Sequence, residues 1–398
     1  MAGPDPAALP NPPRRHSGLL QALAVTLLVL LIVLIAVGGS VTSLNAGLAV
    51  PDWPTTFGHN MFTAPLDVWL YAHDTLAEHA HRLIGSLVGL VSIAVLVVAV
   101  WKVRRRRWLI ALAAALLVLI SVQGVLGGTR VTETSDLLAF FHGILGQLIL
   151  AMAVVLAAMT TRHWALADAD AELHAPPSLS PAGRRVRTSV VLLLGVIVVQ
   201  LVLGAGVRHS HAALAVPDFP LHYGQVVPPI TQDQIDAAVQ RAQTWGGSGQ
   251  TYPAWQVWLH LSHRAGAAVV TLVLLVTAWL AWRWSGHARW PVVALLVLLV
   301  VQLKLGMVTI WTGEHPGAAT AHQTVGALLL ASATWLAVRA HHASRIAAAA
   351  DTVSLPSLEG RGRGRVTAGN AAGLERAGGE DPKPSPQPSP WQGEGVRA

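Results

Sequence analysis

The chemistry open to this chain rests on histidine. Its 398 residues include no cysteine, which excludes disulfides, zinc–thiolate sites, iron–sulfur clusters and thioether-linked cofactors. They do include 18 histidines, and neutral imidazole is the commonest protein ligand for metals. Four stand out by context: His81, His142, His263 and His322. Each follows a polar segment and opens a long apolar run. Glu78 lies three residues before His81, on the same face if the segment is helical. A carboxylate there could move protons beside a metal or stabilise a cationic intermediate; it could also simply complement a helix dipole. The matching place before His263 holds His260.

The elements that must position these groups are membrane spans. The chain is 53% hydrophobic and only 12% charged, against about a quarter charged in soluble domains. Its apolar runs are about 20 residues long, enough to cross a hydrocarbon core of about 30 Å. Eight spans are expected, at 19–38, 80–101, 108–128, 138–160, 189–207, 259–282, 290–311 and 319–339. The first could instead be read as a signal peptide, but its apolar stretch exceeds the usual 7–15 residues or so. The net charge of +7 gathers in clusters beside the spans: Arg14 and Arg15, Lys102 with Arg104 to Arg107, Arg184, Arg185 and Arg187, Arg283 and Arg289, Arg339 and Arg345. All fall on one side of the membrane if every run crosses. That pattern is a topology signal with both termini cytoplasmic, not a nucleic-acid surface.

The expected organisation is a cytoplasmic N-terminus (1–18), an N-terminal four-helix half (19–160), a cytoplasmic linker (161–188), a C-terminal four-helix half (189–340) and a disordered, Gly/Pro-rich cytoplasmic tail (341–398). Leu48-Ala49-Val50-Pro51-Asp52-Trp53-Pro54 recurs as Leu214-Ala215-Val216-Pro217-Asp218-Phe219-Pro220. His81 and His142 align with His263 and His322. The fold class is therefore all-α integral membrane protein, eight transmembrane helices in two pseudo-symmetric four-helix bundles related by an axis along the membrane normal. In each half, two imidazoles at one depth could face each other as axial ligands of a haem iron. The alternative is four interfacial histidines bonded to loop carbonyls. Gly85, Gly89, Gly143, Gly146 and Gly266, near these histidines, would let a flat macrocycle approach the backbone or serve helix packing. Arg82 and Arg264, each directly after a histidine, could pair with haem propionates or snorkel to headgroups. His59, His73, His79, His209, His211 and His222 are read as loop residues.

These motifs resemble the haem A synthase family, in its cysteine-free type. The resemblance lies in Gly39-Ser40-Val41-Thr42-Ser43 with the Pro-Asp-Trp-Pro loop, Glu78-His79-Ala80-His81-Arg82, Gly127-Gly128-Thr129-Arg130, His142, His263-Arg264 and His322-Gln323. It covers roughly residues 19–340. It implies an oxidoreductase acting on CH or CH2 groups, converting the C8 methyl of haem O to a formyl group for terminal oxidase assembly. It implies a resident haem b on His263 and His322, substrate haem near His81 and His142, and Glu78 as the catalytic carboxylate. It also implies a bacterial inner-membrane location, with haem O synthase and an electron-transfer partner as neighbours; a homo-oligomer is compatible. Two rivals remain at this stage. One is a di-haem b-type cytochrome carrying electrons between quinone and a partner; the other is a haem or metal transporter.

Overall fold

In a bilayer every backbone N–H and C=O must be bonded within the chain, so the apolar runs have to be helices. The computed structural model describes residues 17–162, 164, 181–244, 249–284 and 289–353. Its elements are α1 (Gly18–Ser43), β1 (Thr55–Thr56), β2 (His59–Asn60), α2 (Leu66–Trp69), α3 (His73–Lys102), α4 (Arg107–Thr132), α5 (Asp136–Met159), α6 (Pro181–His209), α7 (Gln232–Gln243), α8 (Ala254–Trp284), α9 (Arg289–Trp311) and α10 (Pro316–Val353). Among the described residues eight helices are long and apolar enough to cross a membrane: α1, α3, α4, α5, α6, α8, α9 and α10. Of the tail expected to be disordered from 341, residues 341–353 instead continue α10, and residues 181–188 of the expected linker open α6; the tail beyond 353, most of the N-terminal segment and most of the linker lie outside the described residues.

Helix ends follow local chemistry. The Ser17 hydroxyl accepts from Leu20 N at 3.3 Å and Ser135 does the same for Leu138 N, satisfying amides that an isolated helix start leaves orphaned. Thr231 and Gln234 form a capping box at the start of α7. That short helix gives shape to the long loop that joins α6 to α8. Its Ile235, Ala238 and Val239 pack on Ala212, Ala215, Val216, Tyr223 and Val257, leaving its Gln and Asp residues outward.

Helices α1, α3, α4 and α5 pack as a ring of neighbours, and α6, α8, α9 and α10 pack as another. Contacts of α10 with α1 and α5, and of α5 with α6, join the two. The first ring closes over Leu27, Val95, Leu116 and Leu150; the second closes over Leu193, Leu274, Leu295 and Leu336. Large side chains such as Leu90, Val118, Val199 and Leu272 point outward, as lipid-facing residues should.

Three helices begin at least five residues earlier than hydropathy predicts: α6 at Pro181 rather than 189, α3 at His73 rather than 80, and α8 at Ala254 rather than 259. The first turns of α3 and α8 are polar or aromatic and partly exposed, and the buried polar groups Glu78, His79 and His260 come one turn later. Glu78 and His79 are buried within α3, so His81 and His263 lie eight and nine residues inside their helices.

Candidate functional site

The loop between α1 and α3 (the first loop) and the loop between α6 and α8 (the second loop) are built alike. After α1, Asn45 takes a left-handed φ of 55°; after α6, His211 takes 56°. Further on, both oxygens of Asp52 accept backbone N–H groups, from Phe57 and Gly58, each at 2.8 Å. The Asp218 oxygens accept those of Tyr223 at 2.6 Å and Gly224 at 2.7 Å. Phe57 and Tyr223 have positive φ, as do the glycines that follow them, so each carboxylate ties off a tight turn. Burial would raise the Asp52 pKa, but bonds from Thr55, Gly58 and Phe57 outweigh it and hold this carboxyl below its usual 3.8. In the second loop Tyr223 donates its hydroxyl to Ala215 O, and burial, with Tyr252 and Asp218 nearby, pushes its pKa up to about 12.

Each loop is clamped by one arginine. Arg82 donates through Nη1 to Asp52 O at 2.7 Å and Thr55 O at 2.9 Å, and through Nη2 to Val50 O at 2.8 Å and Glu78 Oε1 at 2.7 Å. Arg264 donates to Leu221 O at 3.2 Å, Val216 O at 2.8 Å and Asp218 O at 2.7 Å, and its Nε reaches His260 Nε2 at 3.2 Å. These guanidinium groups, expected at haem propionates, direct four donor contacts each at the loops and the adjacent helix.

Beneath the clamps the two halves part company. Glu78 is buried, and its Oε2 accepts the Val50 N–H at 2.8 Å. His260 at the matching place is also buried, with Nδ1 3.1 Å from Ala212 O. A carbonyl at Nδ1 and an arginine N–H at Nε2 specify the neutral tautomer that carries its proton on Nδ1.

One turn deeper stand the imidazole pairs. The rings of His81 on α3 and His142 on α5 have centroids 6.3 Å apart and planes at 66°. Those of His263 on α8 and His322 on α10 are 6.4 Å apart at 74°. An imidazole–metal bond is about 2 Å and a ring centroid lies about 1 Å behind its nitrogen, so two rings sharing one metal sit about 6 Å apart. Both pairs meet that spacing. Among the described residues no group of three or more His, Cys, Asp or Glu could hold a bare ion. A two-imidazole site suits a metal that brings its own equatorial ligands, as haem iron does.

Each ring rests on a glycine of a neighbouring helix: His81 on Gly38 of α1, His142 on Gly127 of α4, His263 on Gly204 of α6 and His322 on Gly306 of α9. A Cβ added there would stand 2.8, 2.8, 3.0 and 3.0 Å from the ring's Cε1. Every one of these glycines lies five residues before the last residue of its helix. None is among the glycines singled out beside the histidines, although Gly127 belongs to the Gly127-Gly128-Thr129-Arg130 segment of the family resemblance. Gly85 and Gly89 meet no ring, Gly146 faces Gln123 and Gly266 faces Gln200. Seats on a different helix from the ligand have no signature in linear proximity.

Three glutamines complete the surroundings. Gln123 Nε2 donates to His142 O at 2.9 Å, and Gln200 Nε2 donates to His263 O at 3.0 Å and lies 3.0 Å from His263 Nδ1. Gln302 places its amide 3.3 Å from His322 Nε2 and its backbone carbonyl 3.1 Å from His322 Nδ1. The side-chain oxygens of all three glutamines are buried without a partner.

Of the six histidines read as loop residues, three stand in helices: His73 opens α3, His209 ends α6, and the third is His79. It lies in α3, buried, with Nδ1 3.1 Å from Thr56 Oγ1 and its ring stacked on Trp69 at 4.4 Å. His209 ends α6, and its Nε2 faces Gly143 of α5. His59 and His73 are exposed, and His222 pairs with Gln225 in an isolated bridge.

The family of COX15-CtaA cytochrome oxidase assembly proteins matches residues 21–334. Among similar curated proteins is one named heme A synthase from Methylobacterium radiotolerans, 26% identical over 80% of this chain and 89% of that protein. The heme A synthase of Shouchella clausii is 29% identical over 72% of this chain and 84% of its own length. That of Methylorubrum populi is 28% identical, over 90% and 96%.

Proposed function

The chain belongs to the COX15-CtaA cytochrome oxidase assembly family, and from that premise we propose that it works as a haem A synthase with haem O as substrate. The observation that carries this reading is the unequal pair of sites. Each half sets two imidazoles about one metal's width apart, and only the first places a buried carboxylate, Glu78, one turn outward of them.

In this reading His81 and His142 hold the substrate haem, and His263 and His322 hold a resident haem b. When bound, iron supplies the oxidising power that an inert methyl C–H bond requires. Glu78 handles protons as the C8 methyl of haem O is carried through hydroxylations to the formyl level. Its two oxygens are held by the Val50 N–H and Arg82, which fixes the direction in which the carboxylate points. The loop that Arg82 pins lies above this half and keeps water from the reacting edge. The four glycine seats press each imidazole against a helix backbone, so ligand orientation is set by packing. We place the chain in the bacterial inner membrane with both termini cytoplasmic, beside a haem O synthase that supplies substrate and an electron-transfer partner.

The test is pigment extraction after expression beside a haem O producer. Haem A should accumulate with the intact chain and vanish with Glu78→Gln, while the b-type absorption bands persist. A haem O pool left untouched by the intact chain, with both haems reducible by quinol, would instead identify a di-haem cytochrome.

A further inference from the structure

Two arginines of the outer membrane face remain without a function. Arg130 lies in the last turn of α4 and Arg208 in the last turn of α6. Both are partly buried. Arg130 makes one long contact, Nη2 to Gly47 O at 3.4 Å. Arg208 uses Nη2 alone, on Gly39 O at 2.8 Å and Ser43 Oγ at 2.6 Å. Among the described residues, Nη1 and Nε of both have no acceptor, and neither side chain has a carboxylate in salt-bridge contact. A guanidinium in such surroundings normally finds an anion.

Their register says where that anion would be. Arg130 is three residues beyond Gly127 and Arg208 is four beyond Gly204, spacings that share one helix face. Gly127 and Gly204 are the seats of the His142 and His263 rings. Each guanidinium therefore emerges one turn, about 5 Å, outward of an imidazole and on the side that faces it. Arg130 is near enough to act electrostatically on both His81 and His142, and Arg208 on His322; Arg82 acts likewise on His81 and Arg264 on His263, so nearness alone does not separate the two pairs of arginines. Arg82 and Arg264, by contrast, already direct four donor contacts each to loop carbonyls and to the Glu78 or His260 side chain.

We propose that Arg130 and Arg208 are the carboxylate-binding residues of the two imidazole-pair sites, each taking a haem propionate, and that Arg82 and Arg264 are not. The proposal rests on the haem reading above. It orients both macrocycles with their acidic edge outward, where a planar guanidinium with free donors can grip a carboxylate in fork geometry. The first site then gathers Glu78, two imidazoles and Arg130 around one substrate.

The test compares uptake of iron protoporphyrin IX and its dimethyl ester by the full-length apo chain in detergent. The second site is isolated with His81→Ala, the first with His263→Ala. Either parent is expected to prefer the free acid by roughly 10- to 100-fold, the range for a hydrogen bond to a charged group. Arg208→Gln in the one background and Arg130→Gln in the other should bring that preference close to one. Arg264→Gln and Arg82→Gln should leave it intact. If Arg208→Gln takes up neither form, Arg208→Lys replaces it and should show a reduced preference, because lysine lacks the fork. A preference that survives in the Arg130 and Arg208 variants, or that disappears with Arg264→Gln or Arg82→Gln, overturns the proposal while leaving haem binding standing. Failure of the unmutated chain to take up either pigment overturns the haem reading and this proposal together.

Discussion

Replacing Gly204 by alanine tests whether a ring seat matters. Within a helix this exchange is favourable by about 1 kcal/mol from propensity alone, so any loss must come from what the methyl meets. At Gly204 it meets the His263 ring, 3.0 Å from Cε1, and the ring must retreat by a few tenths of an ångström. Gly195, on the same helix, has nothing within 4 Å and serves as the control. Overpacking of this kind costs about 1–3 kcal/mol, which offsets the propensity gain or exceeds it. Falling on the geometry of an iron ligand, it should weaken resident-haem binding by about 5- to 100-fold. The assay is haem b content per chain by pyridine haemochrome, with the low-spin electron paramagnetic resonance signal as a reporter of ligand orientation. Gly195→Ala should retain full haem and an unchanged signal; Gly204→Ala should lose haem or shift the signal. Gly127→Ala against Gly124→Ala repeats the comparison in the first half, where the approach is closer at 2.8 Å and the control position is again open. Equal haem content and identical spectra in the Gly204 and Gly195 variants would refute the idea that these glycines set the rings.

Removing the Arg264 side chain with Arg264→Leu orphans the carbonyls of Val216, Asp218 and Leu221. It should destabilise the second loop by about 2–3 kcal/mol, read as faster proteolytic cleavage between residues 208 and 258. Acid should loosen the first loop. The Asp52 pKa is depressed in the folded state, so its contribution is complete above 3.8 and fades as pH falls through the lower folded value; hydrogen exchange at Phe57 and Gly58 should rise there. Alkali should loosen the second loop. The Tyr223 pKa is raised from 10.0 to about 12, so its contribution is complete below pH 10.0 and is lost between 10.0 and about 12, which the tyrosinate absorbance can follow beside protease sensitivity. A chain carrying Tyr223→Phe should lack that alkaline transition.

The spans were legible because a 20-residue apolar run has few alternatives in lipid. The four histidines were legible because the Pro-Asp-aromatic-Pro segments put the two halves in register. What the sequence concealed was contact across helices. Hydropathy stops at the first polar turn, so α3 appears to begin at residue 80 and Glu78 appears to sit at a helix start. In the fold, Val50 and Arg82 bury that carboxylate inside a longer helix. The arginines beside His81 and His263 invited a cofactor role by adjacency alone, but one residue along a helix is about 100° of rotation. That turn carries Arg82 and Arg264 toward the loops. Arg130 and Arg208 stand on helices other than those of the imidazoles; Arg130 closes the Gly127-Gly128-Thr129-Arg130 segment, whereas Arg208 had only its place four residues after Gly204 near the end of a span to mark it. The second loop, rich in glutamine, holds a helix whose capping box is visible at Thr231 and Gln234.

The cradle around Glu78 has one further consequence. Its two donors, a backbone amide at Val50 and a guanidinium at Arg82, have counterparts at Val216 and Arg264, and Val216 is fully buried with no acceptor for its N–H among the described residues. The C-terminal half thus keeps a socket shaped for an acid and fills it with His260. At this position the two halves differ by glutamate against histidine, and His260→Glu would ask whether the division of labour resides in that side chain or in the scaffold around it.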